Sequence, residues 1–231
     1  MNYIIAIVSV LIYGVIIWWL IKSRPKTTLL LPLLCVFFGI LSAMISLGLE
    51  FLWNYFLGSF IGSHHSLIFV ESFFGVALLE EGSKWIWLVF IISRWKNFNL
   101  YTHGILYACG IAAGFNLVEG ILYATIETDA LNMVLRSFTA VPVHFLFAIV
   151  MGFLFARYKI EGNRFFWFSL LIPVILHGLY DFFILQQYAD LLTGAALLVL
   201  IGCLCLSVWV VNIALKADKL RIIYLDRAGE V

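Results

Sequence analysis

LIFVESFFGVALLEEGSKWIWLVFII, residues Leu67–Ile92, has the length and apolarity of a helix that crosses a lipid bilayer, yet two glutamates and a lysine sit in its middle. A bilayer core about 30 Å thick needs about 20 apolar residues, each rising about 1.5 Å. Six more stretches of this kind occur: Tyr3–Ile21, Leu29–Trp53, Leu100–Tyr123, Met133–Phe155, Phe165–Leu185 and Leu192–Leu215. The separators are short and polar, so the expected fold is all-α, a polytopic membrane bundle of about seven transmembrane helices. Residues 1–231 then form a single domain, with a motif-bearing core at 67–186. Composition agrees. Of 231 residues 64% are apolar and 12% charged, against about 45–50% and about 25% in soluble domains. Disorder is excluded by the same figures, and a net charge of +1 lacks the concentrated basic face that nucleic acid requires. Cys35, Cys109, Cys203 and Cys205 lie in apolar runs, where neither disulfides nor a metal pair are expected.

Lysine and arginine in short loops set orientation. Twelve of the 14 basic residues fall in the loops after the first, third and fifth spans and in the tail from Lys216; the alternate loops carry none. This places the N-terminus outside and the C-terminus in the cytoplasm. The first span is followed, not preceded, by Lys22, Arg24 and Lys26, the reverse of a cleaved signal peptide, so it is expected to be retained.

The two remaining cations, Lys84 in mid-span and Arg136 near the outer end of the fifth stretch, direct attention to their neighbours, because a charge at bilayer depth is costly unless paired or solvated. Glu80 and Lys84 are four residues apart and stack on one helix face; Glu81, turned about 100° away, is expected to find another partner. In the next span Gly110 and Gly114 make a close-packing face. Glu119 follows there, with Asn116 one turn earlier as an expected orienter. His144 comes after Pro142, whose missing N–H and ring loosen the helix. His177 and Asp181 are again four apart, a spacing that lets the carboxylate accept from one imidazole nitrogen and leave the other free. At about 1.5 Å per residue, these groups share a layer in the outer half of the membrane. Two imidazoles with two or three carboxylates suit a borderline divalent ion, zinc foremost. His64, His65 and His103 fall outside that layer and read as solvated or interfacial, and most tryptophans as an interfacial belt.

EEGSK (Glu80–Lys84), FNLVE (Phe115–Glu119) and HGLYD (His177–Asp181), in this order on separate helices, resemble the EExxK, FxxxE and HxxxD motifs of the PrsW membrane proteases. The stretch RSFTAVPVHFLFA (Arg136–Ala148) is also similar to that family. The wider group of CAAX-prenyl and bacteriocin-processing proteases, with EExxxR and FxxxH, is more distant, since this chain has Glu119 and Lys84 at those places. HExxH, the rhomboid serine and the GxGD aspartates are all missing. The resemblance implies a multi-pass endopeptidase of the bacterial plasma membrane. Its implied substrate is a single-span protein of anti-sigma-factor type, cut on its outer side as the first step of a stress response.

On that reading Glu119, His144 and His177 would hold Zn2+, with Glu80 or Glu81 completing the set. The other member of the pair would shuttle the proton. Lys84 keeps its partner carboxylate ionised, Asp181 orients His177, and Arg136 binds substrate. A metal-free glutamate mechanism uses the same residues. The rival from another class is a proton or divalent-ion transporter, because membrane ionisable groups mark ion pathways as readily as active sites.

Overall fold

The computed structural model describes residues 1–21, 30–57, 65–185 and 190–228. Every described element is helical. In chain order these are α1 (Asn2–Ile21), α2 (Leu30–Leu57), α3 (His65–Val70), a π-helical segment (Glu71–Ala77) and α4 (Leu78–Phe90). Then come α5 (Tyr101–Ile126), α6 (Ala130–Phe138), α7 (Ala140–Glu161), α8 (Phe168–Leu185) and α9 (Asp190–Ala228), with short 3-10 turns after α4 and α7. Five stretches among the described residues are long and apolar enough to cross a membrane: Leu30–Leu57, Tyr101–Ile126, Ala130–Glu161, Asn163–Leu185 and Gly194–Arg227. The stretch Leu67–Ile92 is helical too, but interrupted. At its π segment the Leu78 N–H reaches back five residues to the Phe73 carbonyl, the bonding pattern of a π-bulge.

α5 and α7 are the inner helices, buried on nearly all sides for most of their length. Glycine lets them sit there. A Cβ on Gly114 would overlap the Val36 carbonyl of α2, one on Gly39 would overlap the Ile111 carbonyl, and one on Gly110 would stand 2.7 Å from the Cys35 Cβ. Gly104 of α5 and Gly152 of α7 make the same close approach to each other. The face expected from Gly110 and Gly114 is therefore a helix-packing face.

Two expectations are corrected by the backbone. The stretch Met133–Phe155 is not one helix, for α6 ends at Phe138 and α7 restarts at Ala140, with Thr139 between them at φ −120°, ψ −73°. Pro142 explains the break: it has no N–H for the Phe138 carbonyl four residues back, and its ring crowds that carbonyl. His103, expected to be solvated or interfacial, is only 6% exposed. His64 lies outside the described residues.

The end of the bundle opposite the site is pinned by α9. Asp218, wholly buried, accepts from the Tyr101 N–H at 2.7 Å, the Thr102 N–H at 3.0 Å and the Thr102 hydroxyl at 2.5 Å. A carboxylate from a distant helix thus caps the first turn of α5, whose free N–H groups favour negative charge. Arg221, one turn later on α9, donates to the Asn99 carbonyl at 2.5 Å.

Candidate active site

Five helices bring the marked residues together. Lys84, 3% exposed, is the hub: its Nζ lies 2.8 Å from Glu81 Oε1, 3.4 Å from Glu80 Oε2 and 3.4 Å from His144 Nδ1. It also sits 3.8 Å above the Phe115 ring, so the phenylalanine of FNLVE is a cation–π partner. Glu81 finds the different partner that its 100° rotation suggested, in His177 at 3.0 Å, but it does not give up Lys84. At i,i+3 it remains a neighbour of Lys84 on the helix surface, and it takes the shorter of the two ion-pair contacts.

The two imidazoles are held in the same way. His144 places Nε2 3.1 Å from Glu119 Oε2, and His177 places Nε2 3.2 Å from Asp181 Oδ2. An ionised carboxylate only accepts, so each Nε2 is the donor. Each Nδ1 faces inward: that of His144 toward Lys84, that of His177 to Glu81 Oε1 at 3.0 Å. The second nitrogen of His177 is therefore engaged by Glu81 rather than free. The rings lie 5.1 Å apart, nearly perpendicular, and Phe147 stacks on His177 at 5.1 Å. A continuous chain of contacts results, running Asp181–His177–Glu81–Lys84–His144–Glu119 and on to Arg136, whose guanidinium bonds Glu119 and stacks 3.5 Å over Tyr123. Asn116 does not orient Glu119; it donates to the Val141 carbonyl at 3.3 Å and ties α5 to α7.

Local backbone features put these groups in reach. A Cβ at Gly178, the glycine of HGLYD, would come 2.6 Å from the Phe73 ring, so its absence seats the π segment against α8 beside His177. Within that segment Glu71 accepts from Trp53 Nε1 at 2.9 Å. Trp85 donates to Ser169 at 2.8 Å and Trp87 stacks on Phe38 at 4.9 Å, which places both tryptophans in helix packing.

A cavity of about 390 Å³ opens onto the layer, lined by Glu80, Glu119, Arg136, His144, His177 and Asp181 among others. Glu81 and Lys84 do not line it; they stand behind, Glu81 at 1% exposure. The pair EE thus splits into one carboxylate facing the cavity and one supporting it. A second cavity of about 250 Å³ also touches Glu80 and Glu119, and includes Glu50 of α2. Sequence reasoning passed over Glu50, although a carboxylate inside an apolar run was the signal used for its neighbours.

The donor set suits a divalent cation. Glu80, Glu81, His144 and His177 each offer a ligand atom, all within 4.8 Å of one another. A tetrahedral site with bonds of about 2.1 Å has ligand atoms about 3.4 Å apart, so this group must tighten by up to about 1.4 Å and the Lys84 ammonium, in contact with three of the four residues, must move aside. The charge sum points the same way: four carboxylates, Glu80, Glu81, Glu119 and Asp181, face two fixed cations, Lys84 and Arg136. Two further positive charges, as protons or a divalent ion, balance the layer. Glu119, expected as a ligand, lies outside the four-residue group and occupies beside His144 the place that Asp181 has beside His177.

Comparison with known proteins bears on this site. A family model described as PrsW family intramembrane metalloprotease matches residues 24–211. Protease PrsW of Clostridioides difficile (strain 630) is 29% identical over 194 residues, 80% of each chain. Protease PrsW of Oceanobacillus iheyensis is 34% identical over 147 residues, 62% of this chain and 66% of that protein. Protease PrsW of Bacillus subtilis (strain 168) is 34% identical over 118 residues, 49% and 54% of the two. No solved structure matches the chain.

Proposed function

The chain belongs to the PrsW family of intramembrane metalloproteases, and on that premise we propose that Glu80 is the water-activating base of a peptide hydrolysis run between α4, α7 and α8. It is an intramembrane protease and a multi-pass bacterial membrane protein. One observation carries the assignment: of the adjacent glutamates, only Glu80 lines the cavity that both histidines face.

His144, His177 and Glu81 are the residues that would hold a borderline divalent ion such as Zn2+, a two-imidazole, one-carboxylate set that leaves a position for water. When bound, such an ion supplies Lewis-acid polarisation of the scissile carbonyl and lowers the pKa of the attacking water. Glu119 and Asp181 fix the two rings through Nε2, which turns both Nδ1 atoms inward. Lys84 keeps Glu81 ionised and in place. Glu80 takes the proton from water and returns it to the leaving nitrogen. Arg136, on the rim beside Glu119, offers N–H donors to a substrate carbonyl.

The positive-inside bias of the loops, with helices at each of the seven apolar stretches, supports seven spans in a single domain, the N-terminus outside. The cavity then opens to the exterior, which suits the outer-side cut of a single-span, anti-sigma-factor-like protein. The test is cleavage of a single-span reporter in vesicles. Glu80→Gln is expected to lose at least a hundredfold in rate, chelator to abolish activity and Zn2+ to restore it. Full activity of Glu80→Gln sinks the base assignment. Activity indifferent to chelation, in protein free of metal by elemental analysis, sinks the ion.

A further inference from the structure

Glu50 lies in α2, seven residues before its end at Leu57, and makes no hydrogen bond or ion pair among the described residues. A carboxylate in a membrane span is tolerated when it is paired or lines a water-filled cavity, and here the cavity is at hand. The chamber beside Glu50 follows α5 from Phe115 to Ile126, the last residue of that helix, a rise of about 16 Å at about 1.5 Å per residue. Its volume is about 250 Å³, room for water, and polar lining is what keeps such a space wet. Ser46, Glu50, Glu80, Glu119 and Tyr123 supply the polar share of a lining that is otherwise apolar, and three of these five are carboxylates. Val76, Glu80, Glu119 and Tyr123 line this chamber and the main cavity alike, so the two adjoin at these residues.

Hydrolysis consumes one water per bond: its oxygen joins the acyl carbon, and its hydrogens end on the new carboxyl and amine groups. A peptide seated in the main cavity displaces the water there. We propose that the Glu50 chamber is the water supply of the protease, a compartment adjoining the substrate's, with Glu50 the positioning residue that holds its water against Glu80. The proposal rests on Glu80 as the base.

Two measurements test it, one independent of catalysis. In a background with the native cysteines replaced, Glu50→Cys is exposed to methanethiosulfonate ethylammonium, beside Leu33→Cys on the lipid-facing side of the same helix. Modification at position 50 is expected at least tenfold faster, and slowed at least fivefold by Val118→Phe, which fills the chamber. Equal rates at 50 and 33 overturn the chamber. With the single-span reporter, Glu50→Leu and Val118→Phe are expected to lower kcat at least tenfold with KM unchanged, while Glu50→Gln, which still bonds water, stays within threefold of wild type. An unchanged kcat in Glu50→Leu, or a loss carried by KM, overturns the role of Glu50. Should Glu80→Gln cleave normally while position 50 still labels fast, the base assignment fails and the hydrated chamber stands.

Discussion

Lys84→Met is the sharpest probe of the buried layer. The side chain is isosteric along most of its length, so packing survives while the ammonium is lost. Removing it leaves Glu80 and Glu81, 7% and 1% exposed, without the cation that lies 3.4 and 2.8 Å from them. Breaking a buried pair from one side costs about 3–5 kcal/mol, because a charge stays behind unpaired. The contact with Phe115 adds about 2 kcal/mol when desolvated, part of it recovered by the methionine sulfur on the same ring. The expected loss is therefore about 4 kcal/mol. Unfolding in mixed micelles, followed by tryptophan fluorescence against denaturant, measures it. Glu81→Gln made in the same chain removes the stranded charge, and the double variant is expected to regain about 2 kcal/mol over Lys84→Met alone, a coupling within the range for contacting residues. If Lys84→Met unfolds within 1 kcal/mol of wild type, or Glu81→Gln gives it no relief, the ammonium is not the keystone of the layer.

The other expectations concern separate parts of the molecule. Asp181→Asn and Glu119→Gln each keep a hydrogen-bond acceptor but lose the charge behind an imidazole; both are expected to weaken zinc binding or cleavage about 10–100-fold, read by competitive metal titration beside the reporter assay. Gly114→Leu drives a side chain into the Val36 carbonyl, and is expected to cost about 3 kcal/mol and to lower the yield of folded protein by size-exclusion chromatography. Asp218→Ala strips the cap from α5; a loss of about 2 kcal/mol should appear with faster hydrogen exchange at the Tyr101 and Thr102 amides, and cleavage specificity should not move.

Apolar run length alone located the helices, because in a bilayer every backbone group must be bonded within its own segment. The gathering of Glu80, Glu119, His144 and His177 was legible for a related reason: polar side chains in hydrocarbon must find one another. What stayed hidden were contacts that depend on reach and rotation. The Lys84 stem is long enough to serve Glu80 and Glu81 together, which a helical wheel does not convey. Glu119 meets Arg136 across a break between α6 and α7, and no spacing between them predicts that contact. The π segment carries no residue that marks it in the sequence; only the fit of Phe73 against Gly178 gives it a purpose. Glu50 stands alone in its apolar run, with no cation or histidine at helical spacing to mark it.

The joint at Thr139 separates the rim of the site from its floor. Below it, His144 rides on α7, clamped by Asn116 and by glycine contact with α5. Above it, Arg136 rides on α6, a nine-residue helix with Met133 alone among its residues deeply buried. A segment of that length has little cohesion of its own, so the arginine is seated at the rim by its bond to Glu119 and its stacking on Tyr123. One proline sets the division between rim and floor.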